Sequence, residues 1–208
     1  MTKAALTTGF VLLLLLWGMF LPFADRNSFS VHMIAHMGVV AGAAPLVAVG
    51  ISGTERDFTA GRAWFTPLLA SVIDLFAVWI WHIPALRAFS ESSIAFAALE
   101  QAIFFGAGLA LWLACLGSGL AGREERRLAG TFGLFFTSMH MTLLGALLAL
   151  SPRPLYGEGD VTCLGVTLGA AADQQVGGVV MLLVGAAVYL AGGVALLART
   201  LNAPVPDR

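Results

Sequence analysis

The chain has 208 residues, 59% of them apolar and only 11% charged, with a formal net charge of −1. A soluble domain carries about a quarter charged residues, so this composition, with a mean hydropathy of +0.88, predicts an integral membrane protein. The near-neutral balance and the lack of any basic run interleaved with aromatics point away from a nucleic-acid partner, and two cysteines outside any Cys-x-x-Cys pattern give no disulfide framework.

An apolar helix needs about 20 residues to cross the hydrocarbon. Six segments meet that length: 4–23, 29–51, 63–83, 94–117, 129–150 and 174–198. They predict an all-α fold, a polytopic membrane helix bundle of about six transmembrane helices forming one domain over 1–208. No internal repeat or low-complexity tract appears, and the longest loop, 151–173, is too small to fold alone. The first segment follows Lys3 and contains the run Val11-Leu12-Leu13-Leu14-Leu15-Leu16-Trp17. A cleaved signal peptide would have a core of about 7–15 residues and a small-x-small site. Pro22-Phe23-Ala24 is a poor cleavage site, so the segment reads as a retained anchor.

Lys and Arg favour the cytoplasmic side. With six spans, one side receives Lys3, Arg56, Arg62, Arg123, Arg126, Arg127, Arg199 and Arg208, and the other Arg26, Arg87 and Arg153. That asymmetry predicts both termini in the cytoplasm, and the short loop Gly119 to Arg127 carries much of it. The second span then runs inward with His32 and His36 near its outer end. The third finishes outside on Trp79-Ile80-Trp81-His82-Ile83-Pro84, where Pro84 ends the helix and the tryptophans suit an interfacial belt. The fourth carries Glu100-Gln101 about two turns below the outer surface, the fifth carries Met139-His140-Met141, and Asp173-Gln174-Gln175 opens the sixth. All four histidines therefore fall in the outer half of the membrane. Cys115 and Cys163 fall near opposite faces, which disfavours a bridge between them.

His32 and His36 lie one turn apart on one helix face, and Met33 and Met37 repeat the spacing on the adjacent stripe. Imidazole and thioether together suit Cu(I), whereas hard cations want carboxylate cages. His-x-x-x-His without the Glu of His-Glu-x-x-His gives no support for a zinc protease. Met139, His140 and Met141 point about 100° apart and cannot all face one site, so at least one methionine is packing. A mid-membrane carboxylate is a functional hypothesis by default. Asp74 has about the depth of His140: it could be protonated, bind a cation or pair with His140, and the pairing is the prediction. Glu100 raises the same question at shallower depth, and for both the plain alternative is a helix–helix hydrogen bond that fixes packing. Asp173 is expected to cap the last helix. Gly42, Gly106, Gly108, Gly177, Gly178, Gly192 and Gly193 read as close helix contacts. No Ser-His-Asp set, P-loop or other nucleophile is proposed, so the chain does not read as an enzyme.

These residues, in this order, resemble the polytopic CtaG-type cytochrome c oxidase assembly factor family of bacterial membranes. The resemblance runs from about His32 to Met181. It takes in His32-Met33-Ile34-Ala35-His36-Met37 with Pro45-Leu46 and Gly50, Trp81-His82-Ile83-Pro84, and Leu99-Glu100-Gln101 with Gly108 and Trp112. It continues through Met139-His140-Met141 and Ser151-Pro152-Arg153-Pro154-Leu155-Tyr156 to Asp173-Gln174-Gln175-Val176-Gly177-Gly178. The first span lies outside it. The resemblance implies a multi-pass protein of the bacterial inner membrane, required to mature haem–copper oxidase by supporting copper delivery to the binuclear centre. Its partners would be the oxidase subunit carrying that centre, a periplasmic copper chaperone and the lipid bilayer, with a homodimer also compatible.

The expected site is transient Cu(I) on His32 and His36, with His82 and His140 as further ligands and Met33 or Met37 as soft auxiliaries. Asp74, Glu100, Gln101 and Asp173 are auxiliary polar groups. Gln101 is a departure, because a histidine is expected after Leu-Glu and an amide is a poor copper ligand. The rivals are a haem-b electron carrier on a histidine pair, a metal-free scaffold for oxidase subunits, and a copper permease. The inner halves of the spans carry few polar groups, which argues against the permease.

Overall fold

The computed structural model describes residues 2–117 and 123–202. Seven helices are described: α1 Lys3–Phe23, α2 Phe29–Ile51, α3 Pro67–Trp81, α4 Pro84–Ser92, α5 Ile94–Leu116, α6 Arg123–Ala149 and α7 Ala170–Leu201. A two-stranded antiparallel hairpin, β1 Asp160–Cys163 and β2 Val166–Gly169, precedes α7. Five of the helices are long and apolar enough to cross a bilayer, and α3 with α4, bent by 72° at their junction, forms the sixth candidate. The expected bundle of about six spans is what these helices build.

Several boundaries differ from the sequence reading. The third span begins at Pro67 rather than 63, because Thr66 caps it, its hydroxyl accepting from Leu69 N–H at 3.1 Å, and Pro67 suits the first turn. Segment 84–93, expected as loop, is the amphipathic helix α4. The last span starts at Ala170 with Gly169 at its cap, so Asp173 does not cap its own helix. Residues 118–122, part of the loop expected from Gly119 to Arg127, and Arg208, used in the charge count, lie outside the described residues.

Small residues set the helix contacts. A side chain on Gly9, Gly38, Gly42 or Gly50 would meet Val47, Leu16, Leu12 or Leu6, which fixes α1 antiparallel along α2. A Cβ on Gly178 would stand 2.6 Å from the Ala149 backbone nitrogen, so α6 and α7 touch backbone to backbone. Gly42, Gly108, Gly177, Gly178, Gly192 and Gly193 are at such contacts; Gly106 is not, with nothing within 4 Å. Both α1 and α2 carry a π-helical stretch, Leu15–Phe20 and Gly38–Ala43. Helix α7 runs parallel to α2, as Gly177 meets Phe29 and the Tyr189 hydroxyl donates to Val40 C=O at 3.2 Å. The N-terminal end of α1 and the C-terminal end of α7 therefore share one end of the bundle.

Candidate metal centre

At the opposite end, the start of α2 is held by α7. Asp173 Oδ2 accepts from Phe29 N–H at 2.5 Å, and its Oδ1 accepts from Ser30 N–H at 3.2 Å and from the Ser28 hydroxyl at 2.8 Å. The Ser30 hydroxyl donates to the same oxygen. Ser28 in turn accepts from Val31 N–H at 3.3 Å. An anion at a helix N-terminus satisfies orphan donors and opposes the macrodipole. Asp173, placed in sequence as a cap of α7, thus joins the N-cap residue Ser28 in satisfying the open N–H groups of α2, and it fixes the turn that presents His32.

His32 and His36 then face α3 and α5. Their ring centroids lie 6.3 Å apart, and those of His32–His82 and His36–His82 are 6.3 and 5.6 Å apart. Two imidazoles sharing one ion through bonds of about 2 Å would have centroids about 5–6 Å apart. Phe104 of α5 closes this cluster, its ring 4.0 Å from that of His36. All three histidines are buried, His36 completely.

Their nitrogens are not equivalent. His82 Nδ1 lies 2.7 Å from Val78 C=O, which can only accept, so Nδ1 carries the proton and the lone pair sits on Nε2. That Nε2, and both nitrogens of His36, are buried without a hydrogen-bond partner. Arg87 Nη1 lies 3.0 Å from His32 Nδ1. A guanidinium only donates, so His32 carries its proton on Nε2, which lies 3.6 Å from Glu100 Oε1. Buried polar atoms are nearly always paired in native proteins; the unpartnered nitrogens of His36 and His82 lie on rings whose centroids are 5.6 Å apart, and both nitrogens of His140 are without a hydrogen-bond partner as well. Among the described residues, no group of three or more His, Cys, Asp or Glu side chains stands in a geometry that could hold a metal ion as it is.

His140 is elsewhere. It meets Asp74, Nε2 to Oδ2 at 3.6 Å, with both side chains buried. Asp74 is eight residues before His82 on α3, about 12 Å deeper along the axis. The expected Asp74–His140 pair is present, and the histidines of α2 and α3 come together without the one on α6. Met33 is turned toward α7, its Cγ 3.1 Å from where a Cβ of Gly177 would lie. Met37 is buried in the core, Met139 is exposed on the bundle surface and Met141 packs on Gly185. Gln101 Oε1 accepts from Trp17 Nε1 at 3.2 Å, tying α1 to α5.

Sequence reasoning missed four participants. Arg87 joins His32 to Arg26 C=O, at 2.9 Å, and to Glu91, at 3.0 Å. Its i,i+4 spacing to Glu91 is the one available signal. Phe104 is one turn beyond Glu100 on the same face. Tyr156 stacks on Phe29 at 4.3 Å and donates to His82 C=O at 2.6 Å, and burial pushes its phenol up, which keeps it a donor. Phe29 also touches the rings of His32 and His82. Beside the cluster, a cavity of about 660 Å³ lies between α1, α2, α4 and α5, with Trp17, Val31, His32, Arg87, Glu100 and Gln101 among its walls.

The model of one family, described as cytochrome c oxidase caa3 assembly factor (Caa3_CtaG), matches residues 2–203. The match includes α1, which the motif resemblance had left out. No curated protein and no solved structure matches the chain.

Proposed function

The chain belongs to the family of cytochrome c oxidase caa3 assembly factors, and from that premise we propose that it serves oxidase maturation by holding Cu(I) transiently as cargo. His36 and His82 would be its first donors and His32 a third. The observation that supports this reading is the set of buried, unpartnered nitrogens on His36 and His82, on rings 5.6 Å apart. Imidazole suits copper, and neutral donors in an apolar setting favour a monovalent soft ion over a hard divalent one. The site lies toward the outer end of the bundle in the charge-derived orientation, within reach of a periplasmic copper chaperone and of the oxidase subunit carrying the haem–copper centre. The work would then be done at the outer face of the bacterial inner membrane. Transfer of the ion needs no bond-making chemistry, so no catalytic residue is assigned.

The test is the copper content of purified protein loaded with Cu(I) under reducing conditions. The wild type is expected to retain copper and a His36→Ala/His82→Ala variant to lose it; equal copper in both overturns the ligand assignment. The same samples decide the rivals. A Soret band would favour haem b, although the Phe104 ring already fills space beside His36 that a porphyrin would need. Oxidase that matures normally around the copper-free variant would favour a metal-free scaffold.

A further inference from the structure

We propose that Arg87 is the positioning residue that sets how many donors the site offers, by capping the lone pair of His32. This rests on the copper reading above. A neutral imidazole has one lone pair. On His32 that pair is on Nδ1, and the Arg87 guanidinium donates to it at 3.0 Å. A nitrogen accepting a hydrogen bond from a cation is not free to bind a second one. With Arg87 in place, an arriving ion meets His36 and His82; with Arg87 withdrawn, it meets three histidines.

The surroundings give the guanidinium somewhere to go. Glu91, one turn further along α4, already holds Arg87 Nε at 3.0 Å and is itself only partly buried. Arg87 and His32 share the wall of the 660 Å³ cavity with Glu100, so the side chain can leave His32 without crossing packed core. Charge favours the exchange. Arg87 holds a fixed positive charge against His32, with the carboxyl groups of Glu91 and Glu100 beside it. A monovalent cation arriving at the histidines replaces that charge, whereas both cations together would repel at short range in a low-dielectric site. Helix α4 carries Arg87 on a segment bent by 72° from α3, with His82 at the break. Arg87 and His82, one of the two donors the cap leaves free, are therefore on either side of one bend, while the capped His32 reaches them from α2.

The experiment measures Cu(I) affinity by competition with a chromophoric chelator, and nitrogen coordination number by X-ray absorption, on purified full-length protein. Arg87→Met removes the donor and keeps the stem. It is expected to bind Cu(I) about tenfold tighter or more and to show one more nitrogen neighbour than the wild type. His32→Ala should leave affinity within about twofold in the wild-type background and abolish the gain in the Arg87→Met background. Arg87→Lys keeps a cation beside Glu91 and Glu100, but its single-point head cannot serve both Glu91 and His32. It should move affinity in the same direction and stands in if the Met variant fails to insert. Unchanged affinity and coordination in both Arg87 variants overturns the proposal, as does a tenfold loss from His32→Ala alone. Copper bound by the wild type but insensitive to Arg87 leaves the copper reading intact. Copper bound by no variant and not by the wild type overturns both.

Discussion

His32 and His82 carry the same side chain and opposite tautomers, and the difference comes from their neighbours. Val78 C=O draws the proton of His82 to Nδ1, while Arg87 leaves that of His32 on Nε2. The sequence could place both rings at the outer ends of their spans, since hydropathy and loop charge suffice for that. It could not assign their nitrogens, because the deciding partners lie four residues back on α3 in one case and 55 residues away in the other. The Asp74–His140 pair was legible for a simpler reason: two embedded polar groups at equal depth have few alternatives in lipid. Their coupling is measurable. In a cycle of Asp74→Asn and His140→Gln, each single change should destabilise the protein, and the double change should cost about 0.5–3 kcal/mol less than their sum. Strictly additive losses in detergent unfolding would show that the 3.6 Å approach carries no energy.

At the scale of elements, the long apolar helices followed from composition, and the elements that were missed have weak or misleading patterns. Helix α4 is short and polar on one face, so it carries no hydropathy signal, and its role depends on Arg87 being buried. The hairpin turns on Leu164-Gly165, both at positive φ, 48° and 84°, between the paired Cys163 and Val166. Such a two-residue turn usually announces itself by Asn-Gly or Asp-Gly; a leucine in the first position hides it. Asp173 was recognised as a capping residue and given to the wrong helix, because sequence proximity favoured α7 while the open N–H groups it serves belong to α2. Asp173→Ala leaves the Phe29 and Ser30 N–H groups and two serine hydroxyls without this acceptor. A loss of about 1–3 kcal/mol is expected, read as a lower unfolding midpoint in detergent. Asp173→Asn, which keeps an acceptor oxygen, should recover part of it.

At the scale of the molecule, the parallel course of α2 and α7, with α1 antiparallel to α2, puts the described N-terminal and C-terminal ends of the chain together. The charge distribution predicts a cytoplasmic position for that shared end. Reporters that fluoresce only in the cytoplasm, fused after residue 208 or before residue 1, should both be active; activity at one terminus alone would break the six-crossing topology. One further consequence comes from α3. Its 15 residues reach only about 22 Å, against a hydrocarbon thickness of about 30 Å. A wall this short leaves a mismatch with a lipid annulus of ordinary thickness, of the kind met by local thinning of the bilayer, by flanking side chains that reach the interface or by oligomerisation. Where thinning meets that mismatch, the headgroup plane is lowered beside His82 and the dry distance from that histidine to the aqueous phase is shorter than the depth of the bundle suggests.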